Sequence, residues 1–148
     1  MRILRILALT FVAVLWTMPL ATAATAEQIF ERDGYAIGGT DPVAYFTLGE
    51  PTQGSPEHAH EWMGATWLFA NAEHRDIFAA DPETYAPQYG GWCAWAAARG
   101  YTASTIADAW SVFDGRLFLN FSPGIHRRWQ ANRDAYIEAA DERWPDIF

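Results

Sequence analysis

The chain has 148 residues, ten of them arginine and none lysine, against eighteen acidic side chains, for a formal net charge of -8 at pH 7. That balance excludes recruitment to nucleic acid or to an anionic membrane surface by bulk electrostatics. A single cysteine excludes an intrachain disulfide framework. Eight tryptophans within a 51% hydrophobic composition supply ample material for one dense core.

Residues 1–26 have the three parts of a secretory signal. Arg2 and Arg5 form the positive start, residues 6–18 are apolar apart from Thr10 and Thr17, and Pro19 precedes a run of small residues. Ala21-Thr22-Ala23 and Ala24-Thr25-Ala26 both fit a small-x-small cleavage pattern. An uncleaved anchor is the alternative, because the apolar region approaches the ~18–20 residues that a membrane span needs. Pro19 and the alanine cluster favour cleavage. No cysteine follows the apolar run and the arginines are not adjacent, so neither a lipoprotein anchor nor a twin-arginine route is indicated. The expectation is a signal over 1–26 and a single domain over 27–148. That domain would be soluble after cleavage, periplasmic or secreted, and still more acidic once Arg2 and Arg5 are lost.

From residue 27 onward, 27–33 reads as a loose or helical lead-in and 37–41 as a turn marked by Gly38-Gly39 and Asp41-Pro42. Val43-Ala44-Tyr45-Phe46 reads as a short strand, and the glycines and prolines of 48–56 as a loop. Residues 58–62 and 65–69 read as two strands joined at Met63-Gly64. Asn71 is a good N-cap for a helix through Ala80, with Ile77 and Phe78 inward. Asp81-Pro82-Glu83 restarts a short helix, with Asp81 as cap and Pro82 in the first turn. Pro87 ends it.

Gly90-Gly91 breaks the chain again, and 92–99 is the next expected helix, stopped at Gly100. Asp114-Gly115 marks a hairpin, because a type I′ turn needs positive φ at both central positions. Leu117, Leu119 and Phe121 are expected to alternate onto one face. Ser122-Pro123 opens a last helix carrying Ile125, Trp129, Tyr136, Ala140 and Trp144 on one stripe, closed by Pro145. Strands and helices without a repeated βαβ pattern predict an α+β fold: a small antiparallel sheet with hairpins, short helices and a C-terminal amphipathic helix.

Cys93 is the first candidate site residue. In the first turn of a helix its thiol would meet unpaired N–H groups that favour the thiolate. Its apolar neighbours Trp92 and Trp95 would instead raise its pKa, and a buried structural cysteine is the competing reading. The glycine pair ahead of it would let the backbone come close to a ligand or partner. His58 and His60, two apart on a strand, share a face that could grip a metal, with Met63 nearby as a thioether. A solvated edge strand is the plainer alternative.

His74 reads as a surface or capping group, and Asp41 and Asp81 as turn or cap residues. The tryptophans serve either a core or a ligand platform. No serine–histidine–aspartate spacing, phosphate loop or zinc-type cysteine pairing is present, so a hydrolase or nucleotide enzyme has no support.

Three segments together resemble the YHS-domain family in its exported bacterial branch. They are Ile37-Gly38-Gly39-Thr40-Asp41-Pro42-Val43-Ala44-Tyr45-Phe46, then Trp62-Met63-Gly64-Ala65-Thr66-Trp67-Leu68-Phe69-Ala70 with the helix up to Asp81-Pro82, and Tyr85-Ala86-Pro87-Gln88-Tyr89-Gly90-Gly91-Trp92-Cys93-Ala94-Trp95. The resemblance implies a small α+β domain. Shorter YHS domains are associated with metal handling through cysteines, but Ala44, Ala70 and His74 stand here where those cysteines would fall. Some exported relatives carry selenocysteine at the position matching Cys93, which implies a functional thiol.

The leading expectation is therefore periplasmic thiol redox, through a protein thiol partner, or handling of a soft transition metal such as copper. Cys93 would be the reactive group, Trp92, Trp95 and Tyr89 would form its surroundings, and His58, His60 and Met63 would be auxiliary ligands. The alternative is a non-catalytic binding module whose aromatic pocket holds a small ligand or a protein partner, with Cys93 structural.

Overall fold

The computed structural model describes residues 28–148, so the signal expected over 1–26 lies outside the described residues. Among the described residues, three antiparallel hairpins and six short helices make up an α+β fold, as the sequence predicts. The hairpins pair β1 (Glu31–Arg32) with β2 (Tyr35–Ala36), β3 (Ser55–Trp62) with β4 (Ala65–Phe69), and β5 (Trp110–Phe113) with β6 (Arg116–Leu119).

All three turn in the same way. Asp33-Gly34, Met63-Gly64 and Asp114-Gly115 each place both central residues at positive φ, the type I′ signature whose twist matches the flanking strands. Of the lead-in expected over 27–33, Glu31 and Arg32 form a strand, because Asp33-Gly34 folds them back onto Tyr35 and Ala36.

The helices are α1 (Ala44–Thr47), α2 (Ala72–Ala80), α3 (Pro82–Tyr85), α4 (Ala94–Ala97), α5 (Pro123–Ala131) and α6 (Arg133–Arg143). Val43 to Phe46 was expected as a strand, and the structure corrects this. Asp41 Oδ1 accepts the backbone N–H groups of Val43 (2.9 Å) and Ala44 (3.2 Å), and this capping of orphan donors turns a β-branched, aromatic run into α1. Asn71 caps α2 through His74 N at 2.8 Å, and Ser122 caps α5 through Ile125 N at 3.2 Å. Asp81 makes no such cap. Its carboxylate accepts the Thr84 hydroxyl at 2.7 Å instead.

The single C-terminal helix is also corrected, because Asn132 leaves helical geometry (φ -143°) and splits it into α5 and α6.

Two apolar clusters form the interior. One gathers Val43, Tyr45, Trp67, Phe69, Phe78, Leu117 and Leu119 around the hairpins. The other joins Tyr89, α4, Phe118, Trp129 and Ala140. Strand β6 lies between them: Leu117 and Leu119 face the first cluster and Phe118 the second, as a period of two requires. Phe121 does not continue that face, since half of it is exposed. No helix among the described residues is long and apolar enough to cross a membrane.

Candidate functional site

Cys93 is held by the chain on both sides. Its N–H donates to the Ala103 carbonyl at 3.0 Å, and its own carbonyl accepts from Ala97 N at 2.9 Å. The Thr105 hydroxyl donates to the Gly91 carbonyl at 2.8 Å. The expected helix over 92–99 contracts to the four residues of α4, and Cys93 becomes its N-cap rather than part of its first turn. So short a helix supplies little dipole.

The glycine pair approaches its own chain rather than a ligand. A Cβ on Gly90 would fall 1.7 Å from the Gln28 carbonyl oxygen, and one on Gly91 would fall 2.4 Å from Ile37 Cγ2. Phe30 N donates to the Gly90 carbonyl at 2.8 Å across the same contact.

The thiol is 1% exposed and lies 3.6 Å from Asn120 Oδ1, to which it donates. Asn120 Oδ1 also accepts from Trp95 N at 3.2 Å, while the buried Nδ2 has no partner among the described residues. Burial pushes the Cys93 thiol up, and hydrogen bonding from the backbone of Ala96, Phe121 and Trp95 pulls the other way without overcoming it. Burial at this position thus works against the thiolate that a place in a helix's first turn would favour.

An apolar cavity of about 270 Å³ opens beside Cys93. Its walls are Trp95, Ala96, Tyr101, Ala103, Phe121 and Ile125, and Tyr101 (45% exposed) and Phe121 (51%) stand at its rim. Of the residues expected around the thiol, only Trp95 lines this pocket. Trp92 packs on Phe30 and Phe148, at ring-centroid distances of 5.0 and 6.4 Å. Tyr89 points its hydroxyl at Asp141 Oδ1, 2.8 Å away. Burial first, then the hydrogen bond to Asp141, drives the Tyr89 phenol far above its ordinary range.

His58, His60 and Met63 do not line the Cys93 pocket. Both histidines lie on β3, where His60 meets the edge of Phe78 at 6.1 Å. Met63 occupies the left-handed turn position and borders a separate cleft. No group of three or more His, Cys, Asp or Glu side chains among the described residues could hold a metal ion. The structure thus separates Cys93 from the auxiliary ligands that the sequence suggested.

Three polar clusters escaped the sequence. His74 is buried, not a surface group. Its Nδ1 lies 2.6 Å from Asp41 Oδ2 and its Nε2 lies 3.1 Å from Thr47 Oγ1. Thr47 already donates to the Val43 carbonyl at 3.2 Å, so this aspartate–histidine–threonine order ties α1 to α2 rather than priming a nucleophile. Ser111 Oγ and His126 Nε2 lie 2.7 Å apart, and burial lowers the His126 pKa. No carboxylate bonds to His126 among the described residues. Arg116 grips Asp141 with two nitrogens, at 3.0 and 2.7 Å, next to the Tyr89 hydroxyl. Each cluster joins residues at least 15 apart in sequence, beyond the reach of any local motif.

Comparison with protein-family models, curated proteins and solved structures finds no match to this chain.

Proposed function

We propose that the chain is an exported, YHS-like binding module whose apolar pocket at Cys93 holds a compact apolar or aromatic ligand. In that pocket the thiol is a neutral, soft part of the wall. The observation that supports this reading is the pairing of a 270 Å³ apolar cavity with a buried thiol at its side. A dry cavity of ~150 Å³ already accepts benzene, and small-molecule sites begin near ~300 Å³, so the space suits a one- or two-ring molecule. A neutral thiol behaves there as a small hydrophobe with a weak S–H donor. Tyr101 and Phe121 at the rim offer faces for stacking.

The test is calorimetric titration of the full chain with indole, repeated on Ala103→Leu, which fills the pocket from its half-buried wall. Saturable binding that Ala103→Leu weakens by tenfold or more, a loss of about 1.4 kcal/mol, supports the reading. Indole binding of equal strength in both proteins overturns it.

One observation favours a second reading, in which Cys93 performs thiol redox chemistry with a protein thiol partner or binds a soft metal such as copper. The backbone groups of Ala96, Phe121 and Trp95 pull the thiol pKa down against burial and would favour a thiolate once it formed. Titrating Cu(I) into the wild type and into Cys93→Ser decides the metal version: equal affinities rule out Cys93 as a ligand.

A further inference from the structure

The cleft beside Tyr89 is a second cavity, of about 310 Å³, and its chemistry differs from that of the Cys93 pocket. Trp62, Met63, Glu83, Tyr89, Asp141 and Trp144 all line it, and none of its lining residues is basic, although Arg116 bonds Asp141 and Gln88 in its wall. It combines two aromatic indoles, a thioether and two carboxylates in a chain of net charge -8.

The two carboxylates are not equivalent. Asp141 is committed to Arg116 and to the Tyr89 hydroxyl. Glu83, exposed on α3, makes no hydrogen bond or ion pair among the described residues.

The indoles differ from other ring faces of the molecule. Elsewhere the molecule stacks its own cations on rings: Arg99 lies 3.6 Å from the Trp95 ring centroid and Arg133 lies 3.4 Å from that of Phe113. Neither Trp62 nor Trp144 carries such a cation among the described residues. Both stay half-buried, at the edge of aromatic clusters with Trp67 and Phe78 and with Tyr89 and Phe148 respectively.

We propose that this cleft binds a small organic cation of the quaternary-ammonium class. Its methyl groups pack on Trp62, Trp144 and Met63, and Glu83 balances its charge. Aromatic faces attract such a cation, most strongly at tryptophan, and its weak hydration makes transfer out of water cheap. A hard metal ion needs six or more oxygen ligands, and the cleft offers one uncommitted carboxylate. An uncharged apolar ligand would strip water from Glu83 and Asp141 without replacing it.

The experiment is calorimetric titration of the full chain with choline and with its neutral isostere, 3,3-dimethylbutan-1-ol. The expected result is saturable choline binding, with the neutral isostere at least tenfold weaker. Glu83→Gln, an exposed change that leaves the interior intact, should weaken choline about threefold to tenfold. Equal affinity for the two probes, an unchanged choline affinity in Glu83→Gln, or no saturation by about 10 mM choline would each overturn the proposal. Ala103→Leu, in the other pocket, should leave choline binding unchanged. The outcome is therefore separate from that of the Cys93 reading.

Discussion

Asn120 Oδ1 accepts two hydrogen bonds at once, from the Cys93 thiol at 3.6 Å and from the Trp95 backbone N–H at 3.2 Å. The same residue ties its backbone to Ala109 and Ile106, at 2.8 and 3.2 Å. One buried residue thus ties the thiol and the start of α4 to the segment that holds Ile106 and Ala109. Through Cys93 and Trp95, both in the pocket's wall, it anchors that wall to the interior.

Replacing Asn120 with alanine removes that acceptor and leaves Trp95 N unsatisfied in the interior. The expected cost is about 1–3 kcal/mol of stability, measured as a lower urea midpoint with unchanged slope. Cys93 should also alkylate faster in the variant, because its thiol loses its anchor.

Burial raises the Cys93 pKa in the folded chain, so the native state holds this proton more tightly than the unfolded state does. Above the unfolded-chain value of ~8.5 the unfolded state binds fewer protons, and stability falls as pH rises toward the folded value. The wild type should therefore lose stability relative to Cys93→Ala as pH rises above about 8.5. A parallel pH dependence of the two proteins would contradict the burial of a neutral thiol.

Asp41 ties three elements together. Its two oxygens accept from Val43 N, Ala44 N, Ala70 N and His74 Nδ1, joining α1, the end of β4 and α2. Asp41→Ala orphans these donors together and should cost about 3 kcal/mol or more, a large share of a typical domain's ~5–15 kcal/mol. A loss below about 1 kcal/mol in urea unfolding would show that the cluster is dispensable.

Asp141 tests acid sensitivity. Burial tends to raise its pKa, but hydrogen bonds from Arg116 and Tyr89 and the guanidinium charge bring the net shift below the ordinary value. A depressed carboxylate stabilises the fold above its unfolded pKa of ~3.9, and that contribution is lost as pH falls through the folded value. The carboxylate is 43% exposed, so solvent screening limits the effect to under about 1 kcal/mol. Asp141→Asn should flatten the wild-type loss of stability below about pH 4 by that amount, read from melting curves.

The features legible in the sequence were those written in adjacent residues. Asn71 and Ser122 cap their helices through donors three positions on, and Asp114-Gly115 turns its hairpin as its φ preference demands. The Asp33-Gly34 hairpin carries the same dipeptide signal, but its strands are only two residues long, too short for alternation to register. Val43 to Phe46 have strand propensity, which the Asp41 carboxylate overrides by capping them into a helix.

At the site, the presence of Cys93 was plain but its environment was not. The amide that holds it lies 27 positions away, and Trp92, next in sequence, turns toward Phe30 instead. Tyr89 likewise answers to Asp141, 52 residues on. Pairings over such distances follow from tertiary packing, which periodicity and capping rules do not encode.

The most direct measurement of the central claim is the alkylation rate of Cys93 by a small reagent as indole is titrated in at pH 8.5. If ligand and thiol share one pocket, the rate falls with indole and half-protection coincides with the calorimetric Kd. A rate that stays constant at saturating indole would place the ligand elsewhere and contradict the assignment of the Cys93 pocket as the binding site.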